Sequence, residues 1–285
     1  MRTLWRGTRR STLRLALAVL FGSGARRLEA APQCLRYRVN ATLMVACVPV
    51  FSKQNVGGAY LGVEQTAVDG STVTRLEFAA GSWPERLKGF NRFGATRETV
   101  REENGAVVES AYVSFMASSR EKNFSEARRA FASAPESLPL TVARGRSTSA
   151  GCTFAIEHRT APGNYSWRNC LDLAGEFDGL PLPPAATLEE YPTRALPTFL
   201  FALHRAIRTD SPAAATLYTH NGKVYRLRTR AQIDPRSGEI ALTCSISGQT
   251  EFKLWLASRD RTGLPKRIEF HPKSFLNLTL EQEEK

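Results

Sequence analysis

Cys152, His158, Asp172 and His204 are the residues whose chemistry could supply a nucleophile, a general base and a group to orient it. Their surroundings hold no nucleophile elbow and no HExxH helix, and no cluster of His, Cys, Asp or Glu has metal-ligand spacing. Four such residues can be picked from any chain of 285, so a non-enzymatic protein without metal or cofactor is expected. A hydrolase using Cys and His residues is the alternative. His204 falls beside Leu203 at the margin of an apolar helical stripe, where a packing residue with satisfied ring nitrogens is expected. The five cysteines contain no CxxC, which argues against a zinc ribbon or a thioredoxin-like site and is compatible with an oxidising compartment. Cys152 and Cys170 bracket Pro162-Gly163-Asn164, and Cys34 and Cys47 bracket Asn40-Ala41. These are the candidate disulfides, each stabilising by about 3 kcal/mol if formed, with core packing as the alternative. Cys244 is left as a buried thiol in a strand.

A second chemistry is electrostatic. Arg226, Arg228 and Arg230 alternate along a strand and project from one face, where they suit anionic glycans or lipid head groups or form a solvated outer surface. The net charge of +12 is weak support for nucleic-acid binding. Seven Arg and one Glu lie in residues 1–30, and the 32 basic and 26 acidic residues that remain leave a net +6 without a dense run. No nucleic acid is expected as a partner.

That basic N-terminus reads as an export signal over residues 1–31. Arg2, Arg6, Arg9, Arg10 and Arg14 precede the apolar run Leu15 to Phe21, with small residues at Gly22 to Ala25 and again near Ala30-Ala31. Thr8 to Arg14 resembles a twin-arginine signal, with Thr12 where a bulky apolar residue is usual. The run is too short for a bilayer span, which takes about 20 apolar residues, and no later stretch is longer. A periplasmic or envelope-associated product without a transmembrane span after cleavage is therefore expected; a basic N-terminal arm is the alternative.

The elements that must position these residues are mostly strands. In Glu251 to Pro272, Phe252, Leu254 and Leu256 alternate with Lys253, Trp255 and Ala257, and after a polar loop around Asp260 Ile268 and Phe270 alternate with Arg267, Glu269 and His271. Hairpin turns are predicted at Asp69-Gly70, Asn104-Gly105 and Asn221-Gly222, and a further turn at Arg236-Ser237-Gly238. Cys34 to Phe51 reads as a strand pair, Asn55 to Ala59 and Gly81 to Phe93 as loops, and Phe177 to Pro192 as a Pro-rich connector. Helices are predicted at 118–134, around Phe124, Ala127 and Phe131, and at Leu196 to Thr209, with Phe199, Leu200, Leu203, Ala206 and Ile207 on one face. Short links between successive strands imply a mainly β, antiparallel meander with two or so covering helices. Residues 32–285 form a single β-rich domain, or two β halves joined at 177–192.

Several of these segments resemble a known family. The helix from Leu196, the hairpin Leu217 to Tyr225, and Phe252-Lys253-Leu254-Trp255-Leu256 followed by Asp260 and Leu264-Pro265-Lys266-Arg267-Ile268-Glu269-Phe270 look like bacterial exported proteins grouped as domain of unknown function 3108. The resemblance covers about residues 190–282. It implies an exported protein with a strongly curved sheet, an open barrel or two packed sheets, and it carries over no catalytic residue. A long meander with one apolar face and few helices either packs on a second sheet or binds something. The expected function is thus an envelope protein that holds a lipid, a lipoprotein segment or a partner chain against Phe252, Leu254, Leu256, Ile268 and Phe270. A reporter active only after export, fused behind residues 1–35, should be switched on; a reporter retained in the cytoplasm overturns the export expectation.

Overall fold

The computed structural model describes residues 32–46, 48–83, 86, 91–119, 139–147, 152–160, 188–191, 197–209, 213–220, 223–247, 250–256 and 263–284. The export segment, the helix expected beyond Ser119, Trp167 to Leu173, Cys47, Cys170, Asp172 and Asp260 lie outside them. Among the described residues there are fourteen strands: β1 (Gln33–Val45), β2 (Val48–Val68), β3 (Ser71–Ser82), β4 (Asn91–Glu103), β5 (Ala106–Ser119), β6 (Pro139–Ser147), β7 (Cys152–Thr160), β8 (Leu188–Tyr191), β9 (Ala213–His220), β10 (Lys223–Ile233), β11 (Ile240–Ile246), β12 (Thr250–Leu256), β13 (Arg267–Lys273) and β14 (Leu276–Gln282). One helix, α1 (Phe199–Arg208), is present among the described residues, where two or so were expected.

All fourteen strands form one antiparallel sheet, in the order β8, β7, β6, β5, β4, β3, β2, β1, β14, β13, β12, β11, β10, β9. Successive strands are neighbours throughout, as short turns require, and the two halves of the chain are joined where β1 pairs with β14 from Tyr37↔Gln282 to Leu43↔Leu276. The sheet does not close, because β8 and β9 remain its edges. It does roll up: Tyr112 on β5 stacks on His220 of β9 with ring centroids 5.4 Å apart, although ten positions separate those strands in the sheet. A mainly β, strongly curved antiparallel meander is therefore the fold, made of a single rolled sheet rather than two packed ones.

The turn chemistry explains the hairpins. Asp69 and Gly70 both have positive φ, +49° and +78°, and so do Asn104 and Gly105, +50° and +77°. That combination gives the two-residue turn whose twist matches its strands. His220 pairs with Lys223 across the third predicted turn.

Two expected connectors belong to the sheet instead. Asn55 to Ala59 lies inside β2, and residues 188–191 of the Pro-rich stretch form β8 against β7. In β2 the loop-like composition serves a bulge. Val39 pairs with Gly57 but Ala41 with Lys53, so Asn40 faces three residues. Asn55 adopts φ +51°, its amide donates to Asn40 Oδ1 at 2.8 Å, and its Oδ1 accepts from Trp83 Nε1 at 3.2 Å. Asn40 Nδ2 in turn donates to Glu281 Oε2 at 3.0 Å, which ties the bulge to β14. Gly57 is required by proximity, since a Cβ there would lie 2.2 Å from the Gly81 carbonyl oxygen. Gly57→Ala should cost about 1–3 kcal/mol, because the obstacle is backbone and cannot swing away. Urea unfolding of the variant checks this; a midpoint equal to the wild type contradicts it.

Candidate functional site

The inward positions of β9 to β14 form one continuous apolar wall. Leu227, Leu242, Cys244, Phe252, Leu254 and Leu280 are buried along it, and Ile268 and Phe270 are half-buried. Of the five residues expected to line a concavity, Phe252, Leu254 and Leu256 are buried and all five share the inward face, since Leu254 pairs with Ile268 and Phe252 with Phe270. The wall is occupied rather than bare. Phe199, Ala202, Leu203 and Ile207 of α1 pack on it, with the Phe199 ring 5.3 Å from Tyr218 and 6.1 Å from Phe252. On the other limb of the roll, Leu200 and Phe201 pack among Tyr37, Val39, Leu61, Leu76 and Val100. The helix thus carries apolar residues on more than the single stripe its sequence suggests, because sheet surrounds it on two sides.

What fixes α1 is a carboxylate from another element. Thr198 stands at the N-cap but its side chain makes no capping hydrogen bond. Instead Glu98, inward on β4, accepts from the Phe201 amide through Oε2 at 3.0 Å, and the amides of Phe199 and Leu200 also point to it. Glu98 is 4% exposed. Burial disfavours its charge more than these amides and the nearby Thr198 hydroxyl favour it, so its pKa is raised to about 7. The C-terminal end is held by Arg205 on Glu102 at 3.6 Å and by Arg208 Nη1 donating to Gln65 Oε1 at 3.3 Å. Tyr37 donates its hydroxyl proton to the Pro265 carbonyl at 2.6 Å, which draws the Leu264-Pro265 segment against the same core.

The seam between helix and wall is imperfect. His204 is buried, yet neither ring nitrogen has a well-formed hydrogen bond among the described residues, and Thr198 Oγ1 and Thr219 Oγ1 are also buried without one. The expected satisfied packing histidine is therefore an unsatisfied one. Burial first, and the Arg208 charge second, lower its pKa to about 4 despite the Gly263 backbone beside it.

The other candidates are dispersed. Cys152 and His158 lie on one strand, about 20 Å apart at its extended rise, so they cannot act on each other. Cys152 packs with Val107 and Ile156, whereas His204 lies against Gly263 and Arg208. The Cys34–Cys47 disulfide is ruled out by strand geometry. Cys34 is an exposed thiol at the start of β1, and Val45 and Val48, which flank Cys47, pair at its far end, about 36 Å away. Cys152 is buried at the start of β7, and its proposed partner Cys170 lies outside the described residues. Cys244 is a buried thiol, as expected, with its pKa pushed up to about 12 by burial. Arg226, Arg228 and Arg230 are all exposed on the outer face of β10, unpaired with any carboxylate among the described residues, while Leu227 and Thr229 between them are buried. Glu98 was not anticipated. Its signal was available, because it shares the inward phase of β4 with Val100, where a carboxylate is out of place.

No protein-family model matches the chain. No curated protein matches it either. A solved structure, a beta-barrel-like protein of domain of unknown function DUF1849 from Brucella abortus, is similar at 10% identity over 89% of this chain and 96% of that one, with a TM-score of 0.44. A likeness of that degree bears on neither ligand nor activity.

Glu98 and His204 make opposite demands on pH. Glu98 has a raised folded pKa, so its contribution to stability is full below pH 4.5 and is lost as pH climbs through 7; His204, lowered from 6.5, contributes fully above pH 6.5 and loses it as pH falls through 4. Between pH 4.5 and 6.5 the two slopes cancel. Glu98→Gln should therefore become more stable from pH 4 to 6.5, and His204→Leu less stable from pH 4.5 to 7, each by about 3 kcal/mol. Urea unfolding across this range tests it; three parallel profiles defeat it.

Proposed function

We propose that the chain is an exported, non-enzymatic binding protein of the cell envelope that takes an apolar ligand into its rolled sheet. The ligand class is a lipid acyl chain or the apolar segment of a lipoprotein or partner chain, held against Phe252, Leu254, Leu256, Ile268 and Phe270 in the place α1 occupies. Export is supported by the basic and apolar pattern of residues 1–31 and by the resemblance of residues 190–282 to an exported family.

The observation that carries the reading is the quality of the seam. An apolar wall is covered, among the described residues, by a single helix of 10 residues, and His204, Thr198 and Thr219 are buried along it without a well-formed hydrogen bond. Each such buried group costs about 1–3 kcal/mol. A helix of this length has little stability of its own in water, so its position depends wholly on tertiary contacts. An acyl chain would cover the same wall without bringing the His204 ring and the Thr198 hydroxyl with it.

If α1 competes with the ligand, weakening its hold raises affinity, because apparent affinity scales with the fraction of molecules whose site is open. Phe199→Ala removes the ring packed on Tyr218 and Phe252. It should bind a fluorescent fatty acid about tenfold more tightly than the wild type. Native mass spectrometry of protein from its own host should show a co-purifying lipid. No lipid on the native protein, together with no uptake by either form, would falsify the proposal.

A further inference from the structure

The β1–β2 hairpin outruns the sheet that carries it. On one side β14 stops supporting β1 at Leu43↔Leu276, and on the other β3 does not reach β2 before Gly57↔Ser82. The ribbon between is apolar and bare: Leu43, Val45, Val48, Val50 and Phe51 are 43–62% exposed, and every residue from Val48 to Gln54 is exposed. Phe275, 56% exposed, stands beside it, its carbonyl accepting from the Met44 amide at 2.8 Å. A two-stranded ribbon with no third strand is marginal in water, and scattered single exposed apolar residues do not explain six gathered at one rim.

Charge and backbone chemistry choose the occupant. Residues 41–63 and 270–280 carry Lys53, His271 and Lys273 and no carboxylate, and Glu64, Glu269 and Glu281 flank them. A second copy of the chain adding itself to the free edge of β2 is opposed by Pro49, which has no amide to donate, by Lys53, and by the positive φ of Asn55 that breaks the extended run. A protein groove would cover one face of a ribbon, whereas this one is uncovered on both. The free edge also sets a depth, since unpaired backbone groups are tolerated among hydrated head groups and not in hydrocarbon.

We infer that the hairpin tip, residues 43–46 and 48–51 with Phe275, inserts into the interfacial layer of an anionic lipid surface and docks the protein there. Val45, Val48 and Phe51 enter between the head groups, and the exposed Lys53 meets the lipid phosphates from above. This docking does not require a ligand in the interior, because the tip residues and Phe275 are not members of either apolar cluster that α1 joins.

The test uses the full chain and vesicles of phosphatidylglycerol or phosphatidylcholine. Sedimentation should show the wild type on the anionic vesicles, weakened by salt, and at least tenfold less binding for V45S/V48S/F51S. Phe51→Trp preserves the apolar tip and should show a blue-shifted emission with anionic vesicles and quenching by brominated lipid, a readout that does not depend on how well the triple variant folds. Binding equal in wild type and triple variant, or no spectral change in Phe51→Trp, overturns the inference. So does a wild-type dimer that the triple variant converts to monomer with no vesicle binding by either, which assigns the tip to a second copy.

Discussion

The roll depends on one buried carboxylate. Glu98 reaches from β4 to the first amides of α1 and takes the part that the helix's own N-cap leaves unfilled. The helix so fixed lies between the two limbs of the sheet, with Leu200 and Phe201 on one limb and Ala202 on the other. Without that anchor the limbs would face each other across an unfilled apolar interior. Burial first, then the neighbouring Tyr225 and lastly this carboxylate raise the pKa of Tyr218 on β9, so both limbs feel its charge. Glu98 is therefore at once a cap, a joint and a buried titratable group.

This arrangement separates two surfaces of different character. The inward face is apolar and filled, with its weak points along the helix seam at His204, Thr198 and Thr219. The outward face is charged: Glu109 gathers Arg101, Arg144 and Arg146, Arg267 pairs with Glu269 and stacks on Trp255 at 4.8 Å, and Arg226, Arg228 and Arg230 stand free on β10. Exposed pairs of this kind contribute little to stability. Their value is in keeping the stretches of outer surface that carry them wet.

Local chemistry was legible in the sequence wherever one turn or one period decides the structure. Asp69-Gly70 and Asn104-Gly105 can take up positive φ at both positions at little cost, and the meander follows from them. The wall from Phe252 to Phe270 announced itself by alternation. The failures share a cause, which is that a distant partner set the outcome. Asn55 to Gly57 looks like a loop until Asn40, Trp83 and Gly81 are beside it. Residues 188–191 read as a connector until β7 supplies an edge. Glu98 has meaning only when α1, a hundred residues later in the chain, comes to rest on it. The pairing of Cys34 with Cys47 rested on a turn near Asn40, and β1 runs straight through that point with only a bulge on its partner.

The pairing of β1 with β14 has a consequence in time. The first strand of the sheet finds its second neighbour in the last, more than two hundred residues away, and the bulge at Asn40 takes a hydrogen bond from that same strand. Contacts so remote in sequence are slow to form, because a long loop must close before they return any stabilisation. A ribosome that still holds residue 282 denies β1 the pairing with β14. The sheet is therefore completed only once residue 282 is free, and until then the facing edges of β1 and β14 stay open.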